Sequence, residues 1–313
     1  MCNYQGEEMK HVFIINPAAG KGSSVAEMLP KLHKYMKETG GDYEIHRSLN
    51  KNDIISWVSQ RASGGEDVRF YAVGGDGTVN DVLCGMISHP NAELAVIPCG
   101  SGNDFVKNFT NVKNFLDIEK QINGKAVPID VIKFNDSYSL NMLNIGTDCD
   151  IVTESLRLRS ERNIKGAASY AVAAVKVLAK RGTYHMKYVD ENGEAKEEEL
   201  LLIAVANGKF CGGGFKSCPK ASLSDGLMDV CVVRPVEGLK LFKMLLQYRN
   251  GTYLDSPEAS KYFKYMQLSE FDLSPADDFN VSVDGEIEPF VDTHFSVVRN
   301  GIRVVVPQGS EIL

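Results

Sequence analysis

Apolar runs of four to six residues alternate with amphipathic stretches through the first 130 residues or so, a rhythm that predicts strands in a parallel sheet joined by helices on both faces. The strand candidates fall at 12–15, 43–46, 68–73, 94–97 and 126–131. Between the first two, Val25, Met28, Leu29, Leu32, Tyr35 and Met36 recur at helical spacing, and Gly40-Gly41 ends the helix. Ile54, Ile55, Trp57 and Val58 seed a second helix, and residues 81–87 are expected to form a third.

Beyond Asp130 the pattern changes. Asn135-Asp136 and Glu191-Asn192-Gly193 read as turns between alternating or apolar runs, so an antiparallel second domain is expected. Its strands are predicted at 200–206, 227–233, 262–268 and 279–283, with a helix over 239–248. The expected division is a first domain of residues 1–131, to which 299–313 return, and a second domain of 132–298. A chain of 313 residues has room for two cores.

Composition narrows the setting. With 43% hydrophobic and 24% charged residues the chain is of ordinary globular make-up. A net charge of −7 argues against nucleic acid as a partner. The seven cysteines form no C-x-x-C pair and fall mostly in apolar segments, which suits a reducing compartment. No run reaches the apolar length needed to cross a bilayer, and Met1 to Glu8 are too polar for a signal peptide, so a cytoplasmic protein is expected. Met9 is a second candidate start.

The chemistry concentrates where strands end. Val73-Gly74-Gly75-Asp76-Gly77-Thr78-Val79-Asn80-Asp81 closes one strand in a glycine turn with a carboxylate inside it. Glycines let backbone N–H groups approach phosphate oxygens, and the start of the following helix favours an anion. Pro98-Cys99-Gly100-Ser101-Gly102-Asn103-Asp104-Phe105 follows the next strand, and Asn16-Pro17-Ala18-Ala19-Gly20-Lys21-Gly22 follows the first. In an open α/β sheet these carboxyl ends are where ligands bind. Any one such loop is explained equally well as a plain strand-to-helix turn, and Asp104 by helix capping. Three on one edge favour a polyphosphate site.

Common nucleotide motifs do not fit. Residues 16–23 lack the first glycine of a P-loop and carry Gly22 where a serine or threonine is needed. Neither Gly75-Asp76-Gly77 nor Gly100-Ser101-Gly102 has a third glycine at dinucleotide spacing. The ordered set instead resembles the diacylglycerol kinase catalytic domain family of lipid kinases, through its N-P-x-x-G-x-G, G-G-D-G-T-x-N and G-[ST]-x-N-D-F motifs. The likeness extends to the segment 221–229 and to Val283-Asp284-Gly285-Glu286.

That resemblance implies a phosphofructokinase-like α/β nucleotide-binding domain and a mainly antiparallel β-sandwich domain, with the active site in the cleft between them. It implies ATP and Mg2+. Gly75, Asp76, Gly77, Thr78, Val79, Asn80 and Asp81 would cradle phosphates, with Asn16, Gly20, Ser48 and Ser101 as further nucleotide contacts. Asp76, Asp104 and Asp130 would form a charge network around magnesium. Glu286 would accept the proton of a lipid hydroxyl, and Asp284 would bind magnesium or orient Glu286. Ser222, Asp225 and Leu227 resemble a second, structural metal position, although a plain Ser-Asp-Gly turn explains that spacing too.

The expected reaction is transfer of the γ-phosphate of ATP to diacylglycerol or another lipid alcohol. Two alternatives stand beside it: an NAD kinase-like enzyme, disfavoured by the G-[ST]-x-N-D-F loop and the late D-G-E, and a non-catalytic nucleotide or lipid sensor, disfavoured by Glu286. The lipid would be reached by peripheral membrane contact, and a homodimer is compatible with the chain. Arg157, Arg159, Arg162 and Lys165 form a basic run ahead of the apolar segment 167–178. Basic clusters attract anionic lipid. A solvated helix face followed by a core helix accounts for the same residues.

Overall fold

The computed structural model describes the whole chain except residues 1–8, 18, 20–22, 163, 165, 181 and 239. Gly20 and Lys165, singled out above, therefore lie outside the described residues, as do Met1 to Glu8. The described residues form two compact units, one within 9–129 and 300–313 and the other within 130–299.

In the first unit, β1 (Lys10–Ile15), α1 (Ser23–Thr39), β2 (Tyr43–Arg47), α2 (Lys51–Ala62), β3 (Val68–Gly74), α3 (Asp76–Met86) and β4 (Ala92–Pro98) follow in strict alternation. The strands pair in the order β2-β1-β3-β4, all parallel. All seven residues of β3 are buried, as expected of a strand covered on both faces. Val25, Met28, Leu32 and Met36 of α1 pack with Phe13, Tyr71 and Ile97 of the sheet. This is the i, i+3, i+7 spacing seen in the sequence. Two 3-10 turns (Phe105–Asn108 and Val112–Leu116) and α4 (Ile118–Ile122) lead into β5 (Lys125–Phe134).

The second unit contains β6 (Ser137–Ser139), β7 (Met142–Gly146), α5 (Thr147–Arg162), α6 (Gly166–Lys180), β8 (Tyr184–Val189), β9 (Ala195–Leu200), β10 (Leu202–Ala206) and β11 (Met228–Val233). Then come α7 (Lys240–Asn250), β12 (Phe263–Leu268), β13 (Glu270–Pro275), β14 (Asn280–Val283), β15 (Glu286–Pro289) and the start of β16 (Thr293–Val306). An antiparallel sheet runs β12-β11-β10-β7-β14-β15. Opposite it stand β9, β8, β13 and the first half of β16, also antiparallel. Leu143, Ile145, Ile203, Val205 and Val230 of the one meet Met186, Phe271, Leu273 and Phe295 of the other in a shared core. The other side of the six-stranded sheet is covered by a second cluster that includes Cys211, Cys218, Met244, Tyr248 and Tyr253. The second half of β16 lies in the first unit, where Arg303 and Val304 pair in parallel with Glu93 and Leu94 of β4. The protein is thus an α/β two-domain fold with one parallel sheet and antiparallel sheets beyond it.

One element departs from expectation. The third helix begins at Asp76, not at Asp81, so most of the glycine motif is helix rather than loop. Gly75 is its extended N-cap, and Asp76 occupies the first turn, where a negative charge meets the unpaired N–H groups.

Candidate active site

The order β2-β1-β3-β4 reverses direction between β1 and β3, because the chain first builds outward on one side and then crosses to the other. Such a switch point leaves a crevice at the carboxyl ends of the two strands. Asn16 leaves β1 there, its N–H bonded to the carbonyl of Val73 (3.2 Å) and its Nδ2 donating to Thr78 Oγ1 (3.0 Å). Ser48, just past β2, is buried, and both its N–H (2.9 Å) and its hydroxyl (3.3 Å) donate to the carbonyl of Ile15. It therefore anchors the loop after β2 to the end of β1.

The two loops after β3 and β4 come into direct backbone contact. Cys99 N–H donates to Gly74 O at 2.7 Å. A Cβ on Gly100 would stand 2.4 Å from the Cα of Gly75, so only glycine fits at this approach. Asn103 holds the second loop in shape. It is left-handed (φ 49°), accepts the N–H of Gly100 at 2.9 Å and donates back to the same residue's carbonyl at 3.0 Å. Asparagine is one of the few side-chain-bearing residues that tolerates this conformation.

This contact brings Asp76 and Asp104 together, although they are 28 residues apart. Asp76 Oδ1 accepts the N–H groups of Asp104 (2.8 Å) and Phe105 (3.3 Å). A Cβ on Gly102 would lie 3.0 Å from Asp76 Oδ2 and 3.2 Å from Asp104 Oδ2, so both oxygens border the same glycine. Lys107 donates to Asp104 Oδ1 (2.5 Å) and to Gly102 O (2.9 Å). Asp104 does precede a helical turn, but its side chain makes no cap bond to it. Thr78, Val79, Asn80 and Asp81 are buried, Gly77 is half-buried and Ser101 is exposed at the loop tip.

In the second unit the hairpin between β14 and β15 turns on Asp284 (φ 46°) and Gly285 (φ 93°). Both central residues are left-handed, as the tight Asp-Gly turn of a twisted hairpin requires. Asp284 is buried and fully engaged: Oδ1 accepts the N–H groups of Asn141 (3.1 Å) and Met142 (2.8 Å), and Oδ2 those of Leu140 (2.9 Å) and the Ser139 hydroxyl (3.1 Å). The carboxylate thus clamps the hairpin to the start of β7. Glu286, two residues on, is exposed at the first position of β15. These bonds fix the hairpin that carries Glu286.

Asp130 belongs to the second unit and is buried. Its N–H donates to Leu223 O (2.8 Å), and its Oδ2 accepts the N–H of Gly226 (2.7 Å). It holds the loop containing Ser222, Asp225 and Leu227, in which Asp225 Oδ1 accepts the N–H of Leu227 at 3.0 Å. Ser222 and Leu227 are half-buried and Asp225 is exposed. Among the described residues, no three His, Cys, Asp or Glu side chains gather closely enough to hold a metal by themselves.

Sequence reasoning did not single out Lys107, Asn103 as a loop brace, or Asn207. The last is buried and donates to Asp130 O (2.7 Å) and Leu140 O (3.0 Å). Nor did it find two buried carboxyls on the outer side of the six-stranded sheet. Burial pushes Asp148 up to about 6, opposed by the hydrogen bond from the Tyr248 hydroxyl (3.1 Å). Burial likewise pushes Asp229 up to about 7, opposed by the bond from the Tyr265 hydroxyl (2.5 Å). No local pattern marks these residues, because their partners are remote in sequence.

A switch-point glycine site with paired carboxylates, on an α/β domain followed by an antiparallel sandwich, defines a kinase-like class of protein. Comparison with known proteins makes this specific. Residues 10–134 match the diacylglycerol kinase catalytic domain, and residues 143–306 match the YegS C-terminal NAD kinase beta sandwich-like domain. The chain belongs to this family of YegS-like and diacylglycerol kinase-like lipid kinases. It is 29% identical over 281 residues to a protein of Alcanivorax borkumensis named "Probable lipid kinase YegS-like", covering 88% of this chain and 91% of that one. To a diacylglycerol kinase of Staphylococcus carnosus it is 25% identical, with 94% of each chain covered. The crystal structure of a diacylglycerol kinase from Bacillus anthracis shares the fold, with a TM-score of 0.69 at 20% identity, over 99% of this chain and all of that one.

Proposed function

We propose that the protein transfers the γ-phosphate of ATP to the hydroxyl of a membrane lipid, with diacylglycerol as the favoured acceptor and phosphatidate as its product. The observation that carries this reading is the pair Asp76 and Asp104, held beside Gly102 at the N-terminus of α3 in the sheet's switch point. Helix N–H groups favour the phosphate chain, and carboxylate oxygens favour the cation that accompanies it.

Oxygen donors of this kind fit magnesium, a hard cation, and Asp76 and Asp104 are the residues that would hold it. When bound, it would offset the charge of the triphosphate. The remaining work falls to the chain. Asn16, Ser48 and the Gly75–Asp81 segment bind and orient the nucleotide. Glu286 takes the proton as the lipid oxygen bonds to the γ-phosphorus; the bond from that phosphorus to the bridging oxygen breaks, and ADP leaves with the electron pair. Asp284 positions Glu286 through the hairpin. In this reading the acceptor is reached by peripheral contact; among the described residues no helix is long and apolar enough to cross a membrane.

The test is to incubate the purified protein with γ-labelled ATP, magnesium and a total membrane lipid extract, with NAD offered in parallel. Label in one lipid class is expected, and its mobility identifies the acceptor. Label in NAD alone, or in nothing, refutes the proposal.

A further inference from the structure

The helix α6 is apolar on two opposite sides. Ser169, Ala173, Ala174 and Val177 are buried, while Ala168, Ala171, Val172, Val175 and Ala179 form an exposed stripe on the far side. Val175 is 72% exposed. A helix that is apolar all round is normally covered all round, so the outer stripe of α6 calls for a partner. It is not the ordinary core helix that its sequence suggests.

A second helix repeats the arrangement. Met244 and Tyr248 of α7 are buried, whereas Phe242 (67% exposed) and Leu246 (42%) sit one turn apart on the opposite side. The two helices are joined through aromatic rings: Tyr170 of α6 lies 6.0 Å from Phe215, which lies 6.4 Å from Tyr248 of α7. They therefore flank the Cys211–Phe215 turn, and Arg249 of α7 stands 5.7 Å over the Phe215 ring.

Their charges are equally one-sided. In a chain of net charge −7, neither α6 nor α7 contains an acidic residue; of their charged side chains Lys176 is held by Glu154 and Lys243 by Glu258, which leaves Lys180, Lys240 and Arg249 to face a ligand. The basic run on α5 is a poorer candidate, since Arg157 is held by Glu154 and Glu161 and Arg159 donates to Ser169.

We propose that the outer sides of α6 and α7 form one docking face that seats on a bilayer containing anionic lipid. Aliphatic side chains with a rim of cations are what such a surface takes up: the apolar part enters the headgroup boundary and the lysines meet its negative charge. A second copy of this chain fits poorly. A self-complementary contact would set Lys180 and Lys240 against their copies, since neither helix carries an acid and Glu154 and Glu258 are already engaged by Lys176 and Lys243.

The experiment is co-sedimentation of the full chain, without nucleotide, with vesicles of phosphatidylcholine plus phosphatidylglycerol and with vesicles of phosphatidylcholine alone. Binding is expected to favour the anionic vesicles and to weaken with salt. Val175→Asp combined with Phe242→Asp should lower the partition coefficient about tenfold or more. Lys180→Gln combined with Lys240→Gln should lower it about tenfold on anionic vesicles alone. Leu116→Asp, which removes an exposed leucine of the first unit, should leave it unchanged. Unaltered binding by the first two pairs, equal binding to both vesicles, or a dimer in solution that Val175→Asp dissociates would overturn the proposal. Because no turnover is measured, a failure here is distinct from a failure to label lipid.

Discussion

The aspartates of the two units differ in what they are attached to. In the first unit, Asp76 and Asp104 sit side by side at a strand edge, each with an oxygen bordering Gly102. In the second, Asp284 and Asp130 direct their carboxylates into the protein's own backbone, one to the start of β7 and the other to the loop at Gly226. The first pair is also tied to the chain, Asp76 Oδ1 by the N–H groups of Asp104 and Phe105 and Asp104 Oδ1 by Lys107, yet Oδ2 of each borders the same glycine. Burial alone does not separate the two uses, because Asp104 and Asp284 are both buried. The second oxygen does: both Oδ atoms of Asp284 accept bonds from 139–142, whereas Oδ2 of Asp76 and of Asp104 borders Gly102.

The comparison can be broken most decisively at Glu286, the exposed carboxylate beside the clamp. Glu286→Gln should lower kcat about a thousandfold and leave the dissociation constant for ATP unchanged, since the general-base role proposed for it concerns the step and not nucleotide binding. Steady-state turnover and equilibrium titration together check this. On the other side, Gly100→Ala forces apart two backbones already in contact. It should destabilise the first unit by ~2–3 kcal/mol in urea unfolding and weaken ATP binding as well.

Asp284→Asn sharpens the contrast, because it keeps the shape while losing charge from a carboxylate that accepts four hydrogen bonds. A loss of ~2 kcal/mol in stability is expected, with nucleotide affinity unaffected. The smallest effect is one of pH. Burial raises Asp229 from its ordinary value to about 7, so the folded state holds a proton that the unfolded state releases near 3.8. Its contribution is therefore fullest below that lower value, falls as pH rises through about 7, and stays lost above it. Asp229→Asn should remove this decline and leave only the part due to Asp148, which ends near pH 6. At pH 8 the variant should be the more stable protein by ~1–2 kcal/mol in thermal or urea unfolding.

Much of the architecture was legible because the signals are local. Apolar runs of strand length, helical spacing in α1 and the switch to hairpins after Asp130 all reflect burial of near neighbours in sequence. Glycine runs were harder to interpret. Gly75-Asp76-Gly77 has turn composition, yet the anchorage of Asp76 to the loop at Asp104 lets the helix start there. That anchorage depends on residues 28 positions away. The clamp on Asp284 spans more than 140 residues, and periodicity carries no trace of it. In α6 the failure was of another kind. A helix with apolar residues on every side does not reveal which side is covered, and the sequence reading of a core helix holds only for the side that includes Ala173 and Val177.

The near-collision of Gly75 and Gly100 has a practical consequence for anyone redesigning this protein. The two glycine segments are a matched pair, shaped against each other like key and ward, so neither can be exchanged for its counterpart from a relative by itself. A chimera that swaps nucleotide preference will have to carry both segments, together with the asparagine that braces the second, in a single cassette.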